Sequence, residues 1–67
     1  MSAEAEPELD RALRALADGN RRAILRAVRS AAKPVGTIAE EVGLSQQTTS
    51  HHLGVLAKAG LTTGTRE

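Results

Sequence analysis

The residues most able to do chemistry sit together in the last third of the chain. Ser45, Gln46, Gln47, Thr48, Thr49, Ser50, His51 and His52 follow one another without a charged residue between them. Ser and Thr are poor residues for the interior of a helix, because their hydroxyls compete for backbone hydrogen bonds. A helix surface needed only for solubility would carry Glu and Lys. This run offers short, neutral donors and acceptors instead. Gln can bridge an adenine edge through two hydrogen bonds, and Ser or Thr can serve several bases or a phosphate.

Other chemistries suit these residues less well. Ser50 and His51 are a nucleophile and a base by type, but neighbours on one helix diverge by about 100° and do not point together. There is no glycine-rich phosphate loop, and no enzymatic activity is expected. The same divergence keeps His51 and His52 from sharing an ion. Neither has a carboxylate at i+3 or i+4, and the chain has no Cys, so no metal or other cofactor is expected. Phe, Tyr and Trp are also absent, which removes the stacking platforms of a single-strand or RNA binder.

The elements that position this run can be read from spacing. Residues 1–6 read as a flexible acidic arm, and residues 7–67 as a helix-turn-helix DNA-binding domain. Pro7 suits the first position of a helix on which Leu9, Ala12, Leu13 and Leu16 form the apolar face. Asp18-Gly19-Asn20 interrupts it. Asn20 is then the expected N-cap of a second helix, about residues 21–32, with Ile24, Ala27, Val28 and Ala31 inward. Arg22, Arg26, Arg29 and Lys33 line another face. Lys33-Pro34-Val35-Gly36 reads as a connection, with a short extended piece at Val35. Thr37 and Glu40 form a T-x-x-E capping box opening a short helix with Ile38, Ala39 and Val42 inward. Gly43 ends it in a left-handed conformation.

Ser45 caps the next helix, about residues 46–59, and Gly60 closes it in a Schellman turn that brings Leu61 onto Leu56. The tail after Leu61 is β-prone. The fold class is therefore mainly α: four helices with at most a vestigial strand at the C-terminus. Two helices joined by Gly43-Leu44-Ser45 make a helix-turn-helix over residues 37–59, with Leu44 filling the space between them. On its second helix Thr49, Leu53 and Leu56 face the core, with His52 at the margin. Gln47, Ser50, His51, Gly54 and Lys58 face out, and Thr48 lies at the exposed N-terminal end.

Charge agrees with a polyanionic partner. The net charge is only +1, but Glu4, Glu6, Glu8 and Asp10 lie in the first ten residues. From Arg11 to Arg66 nine basic residues oppose Asp18, Glu40 and Glu41, so that stretch carries 9 − 3 = +6. No apolar run is long enough to span a membrane, and the acidic start is unlike a signal peptide, so a cytoplasmic protein is expected. The expected binding residues are Ser45, Gln46, Gln47, Thr48, Ser50 and His51 on the reading helix, with Arg22 and Lys58 as phosphate contacts.

From Leu16 onward the sequence resembles the ArsR-like family of bacterial winged helix-turn-helix transcriptional repressors. The matching pieces are LADGNRRAIL, residues 16–25, and IAEEVGLSQQTTSHHLGVLAKAGL, residues 38–61. The resemblance implies a winged helix that binds operator double-stranded DNA as a homodimer and represses transcription. It places Ser45, Gln46, Gln47, Thr48, Ser50 and His51 on the family's DNA-reading helix. Three departures are visible. Pro34-Val35-Gly36 stands where many members carry a metal-sensing Cys-Val-Cys. Thr49 stands where Val is usual, and Gly54 where Lys or Arg is common. The family's wing hairpin and C-terminal helix would follow Glu67. Their absence from the sequence leaves one alternative: a protein-protein interaction module built on a degenerate winged helix.

Overall fold

A computed structural model describes residues 7–62. Within these residues four helices follow one another: α1 (Pro7–Leu16), α2 (Gly19–Ser30), α3 (Val35–Val42) and α4 (Gln46–Lys58). Among the described residues there is no strand. Leu61 and Thr62 form a bend. The acidic arm and the rest of the β-prone tail lie outside the described residues. Among the described residues no helix is long and apolar enough to cross a membrane.

The core forms where α2, α3 and α4 meet, and α1 lies against α2 and α4. Ile24 from α2, Val35 and Ile38 from α3, and Leu53 and Leu56 from α4 are buried together, with Ala15 from α1. Removing a side chain of this size from water contributes about 1.5–3 kcal/mol. Leu44 packs against the cluster from the turn, as expected, and so do Val42 and Leu61.

The α3–turn–α4 unit is built by local hydrogen bonding. Gly43 takes φ 76°, a left-handed conformation that costs glycine little. Its N–H and that of Leu44 both donate to the Ala39 carbonyl, at 2.9 and 3.0 Å. Ser45 caps α4 by accepting from the Thr48 N–H at 3.0 Å. At the far end the Gly60 N–H donates to Ala57 O and the Leu61 N–H to Leu56 O, the two bonds of a Schellman turn.

Four sequence-based expectations change. The cap of α2 is Asp18, not Asn20. The Asp18 carboxylate accepts from the Asn20 and Arg21 N–H groups at 2.8 and 3.1 Å, and the helix begins at Gly19. It ends at Ser30, so Ala31 is extended and exposed rather than inward. Helix α3 begins before the expected capping box. Pro34, with ψ 153°, is its cap without a side-chain bond, and Val35 is a helical core residue only 2% exposed. Burial of Val35 extends the helix by half a turn, which leaves Thr37 inside the first turn. On α1, Leu9 and Leu13 are 49% and 57% exposed, and Ala15 is the residue fully buried. The leucines were the apolar stripe by spacing, but the seat against α2 and α4 admits the small side chain.

Candidate nucleic-acid interface

The helix α4 presents two unlike faces. Inward lie Thr49, His52, Leu53 and Leu56, all buried. Outward lie Gln47, Thr48, His51, Gly54 and Lys58, all exposed. Helical spacing forces this division, since residues at i, i+3, i+4 and i+7 share a side. No Asp or Glu occurs between Gly43 and Leu61, so the outward face carries no negative charge.

Each expected site residue has a definite place. Ser45 is exposed, and its hydroxyl is engaged in capping. Thr48 completes that cap through its N–H and leaves its side chain outward. Gln47 and His51 project from the first and second turns of α4 with exposed side chains. Ser50 is half-buried between them. Gln46 leans back instead. Its Oε1 lies 3.7 Å from the position a Cβ would take on Gly36, so it rests over the first turn of α3. Lys58 ends the outward face in the last turn, where a cation also complements the helix dipole. At Gly54, in the middle of this face, an added Cβ would meet nothing within 4 Å among the described residues.

The arginines divide by task. Arg22 is exposed, but its Nη1 donates to Leu16 O at 2.8 Å and closes the C-terminus of α1. Lys33, on the same basic stripe, pairs with Glu41 at 2.9 Å. Arg26 and Arg29 are exposed on α2. Arg21 is partly buried and turns inward: its Nη1 reaches Ala15 O at 3.4 Å, and its Nε donates to His52 Nδ1 at 3.2 Å.

Two polar residues on the buried face have hydrogen-bond partners, one local and one distant. The Thr49 hydroxyl, wholly buried, donates to Ser45 O at 2.8 Å. That carbonyl also accepts the Thr49 N–H at 3.0 Å. His52 is 8% exposed and takes its bond from Arg21. The rings of His51 and His52 sit 5.7 Å apart at 56°, one outside and one inside. Among the described residues, no group of three or more His, Cys, Asp or Glu side chains is placed to hold a metal ion.

The backbone N–H of Arg21, donated to Asp18, holds that carboxyl below its ordinary value of 3.8. Burial opposes it as the second-largest effect, and the Asn20 N–H and the nearby His52 and Arg21 add smaller effects in the lowering direction. The head of α2 and the inner face of α4 are joined by the Arg21–His52 hydrogen bond. The Arg21–His52 contact spans 31 residues of sequence, and no local spacing signals it.

Taken together, the geometry gives an uncharged polar ridge with a cation at its end, backed by an apolar core. Such a ridge can donate to and accept from base edges and phosphates. Comparison with known proteins agrees. The helix-turn-helix domain family matches residues 16–65. The HTH-type transcriptional regulator NmtR of Mycobacterium tuberculosis (strain ATCC 25618 / H37Rv) is 36% identical over 66 residues. That alignment covers 98% of this chain and 55% of the relative, so the chain spans about half the length of the curated relative it matches. No solved structure matches at a comparable level.

Proposed function

The chain belongs to the ArsR-like helix-turn-helix regulators, and on that premise we propose that it represses transcription by placing α4 in the major groove of operator DNA. DNA-binding transcription regulation is the activity of the family. The finer reading concerns which residues meet the duplex. Gln47 and Ser50 are the base readers, with Gln46, Thr48 and His51 beside them. Ser45 serves the cap and a phosphate near the positive end of the α4 dipole. Lys58 contacts the backbone at the other end, and Arg22 contributes charge from α2. The protein works in the cytoplasm without a metal cofactor. A two-fold dimer would set its reading helices about 34 Å apart and prefer an inverted repeat.

One observation carries this reading. The exposed side chains of α4 are Gln46, Gln47, Thr48, His51 and Lys58, none of them acidic or apolar, while Leu53 and Leu56 are inside. A protein-interaction module is the second reading, and it draws on the exposed Leu9 and Leu13 of α1. Mobility shifts with promoter DNA at several salt concentrations separate the two. A DNA partner gives a steep salt slope, about 0.9 per phosphate neutralised. Gln47→Ala should weaken specific binding by about 1–3 kcal/mol and leave non-specific binding nearly unchanged. If Gln47→Ala and Ser50→Ala both leave operator affinity intact, the reading face is misassigned.

A further inference from the structure

Arg21 donates a hydrogen bond to a side chain of α4 at a partly buried site. Its guanidinium begins on α2, reaches Ala15 O at the end of α1, and donates through Nε to His52 Nδ1 on α4. Three helices therefore meet at one rigid, planar group. His52 is 8% exposed and directly precedes Leu53, which is 4% exposed. Its neighbour on the other side, His51, is on the outer face. Rotating α4 to alter the aim of Gln47 or His51 would stretch the Arg21–His52 bond. Leu53 and Leu56 are smooth apolar contacts and resist such rotation less directionally than a hydrogen bond.

We propose that Arg21 is a positioning residue for DNA reading: through His52 Nδ1 it fixes the rotation of α4, and so the direction in which Gln47 and His51 project. This rests on the DNA reading given above. The bond needs Nδ1 without a proton, so the His52 imidazole holds its hydrogen on Nε2. Among the described residues, no hydrogen bond or ion pair joins a titratable group of α1 or α3 to His52. The fixing partner is thus Arg21, and a lysine at that position cannot reach both acceptors with one donor geometry.

The test uses the full chain and four variants: Arg21→Gln, Arg21→Lys, His52→Leu and His52→Asn. Asn is chosen because its Oδ1 takes nearly the place of Nδ1 and accepts without an imidazole. Helicity and melting are measured first, so that affinity is referred to folded protein. Specific and non-specific duplexes are then titrated. Arg21→Gln and His52→Leu should each lower specific affinity about tenfold, the scale of one hydrogen bond to a charged group. Non-specific affinity should change by less than about threefold, as for loss of at most one phosphate neighbour. His52→Asn should restore most of the specific affinity, and Arg21→Lys should not.

A long-range proton–nitrogen correlation spectrum of the free protein should show His52 Nδ1 unprotonated in wild type. That signature should change in Arg21→Gln. Equal losses on both duplexes, or His52→Leu matching His52→Asn, overturn the positioning role. An Nδ1-protonated His52 in folded wild type overturns it as well, whatever the DNA results. Wild-type protein that binds no duplex, with the imidazole signature intact, instead sinks the DNA reading and leaves the three-helix contact standing.

Discussion

Gly54 offers a way to test the fold and the interface at one position. It lies inside α4, on the outward face, one turn from both Ser50 and Lys58. Among the described residues, nothing beyond the helix's own backbone lies within 4 Å of a Cβ built there, so the fold does not require glycine. Glycine in a helix interior costs about 0.8–1.0 kcal/mol relative to Ala, and Arg is close to Ala in propensity. Gly54→Ala and Gly54→Arg should therefore both stabilise the domain by nearly 1 kcal/mol. For a domain of this size that is a rise in Tm of about 4–8 °C. The two variants should part company on DNA. An Arg between Ser50 and Lys58 adds one cation to the face that approaches phosphates. Its salt slope should steepen by about 0.9, which makes the affinity lost between 50 and 200 mM salt about 3.5-fold larger than for Gly54→Ala. Thermal melts and salt-series titrations with the same duplex measure both quantities. A fall in Tm for Gly54→Ala would show that the space above Gly54 is not open. A stable Gly54→Arg with unchanged affinity and slope would show that this face does not meet the phosphates.

Three further outcomes follow from the caps and the buried hydroxyl. Ser45→Ala removes the acceptor for the Thr48 N–H, and should cost about 1 kcal/mol and lower Tm by about 4–8 °C in thermal melts. Thr49→Val deletes a hydroxyl but leaves Ser45 O its bond from the Thr49 N–H. The lost bond, about 0.5–1.5 kcal/mol, is offset by the added methyl, so urea denaturation should place Val within about 1 kcal/mol of wild type. Thr49→Ser, which loses the buried methyl, should be the less stable of the two. Asp18 titrates below its ordinary 3.8, so its contribution to stability is present above that value and fades as pH falls through the lowered one. Asp18→Asn keeps a capping side chain without the charge. Its stability should fall less than wild type's between pH 6 and 2.5, and equal acid sensitivity would argue against the Asp18 cap.

Much of α3–turn–α4 was legible in the sequence because its determinants are local. Gly43, Ser45 and Gly60 each act on backbone within five residues, and the 3.6-residue period sorts Thr49, Leu53 and Leu56 from Gln47 and His51. Boundaries set by tertiary burial were not legible. Val35 joins α3 because the core takes its side chain, and this outweighs the Thr37–Glu40 pattern that marks a helix start two residues later. At the head of α2 both Asp18 and Asn20 are good capping residues, and only coordinates show which carboxylate or amide meets the free N–H groups. On α1 the leucine stripe pointed to one face, but the fit against α2 and α4 selected Ala15. The basic residues of α2 and the connection after it look alike in sequence. Their separation into Arg22 at an α1 carbonyl, Lys33 on Glu41, and Arg21 on His52 depends on where α1, α3 and α4 pass.

The most direct measurement is backbone and side-chain amide mapping of the protein titrated with a short operator duplex. The largest changes should fall on the Gln47 side-chain amide and the Thr48 and His51 backbone, with Gly54 and Lys58 following. Changes at Leu53 and Leu56 should stay small. Changes confined to α1 around Leu9 and Leu13, with the outer side of α4 unaltered at saturating duplex, would contradict DNA reading by α4.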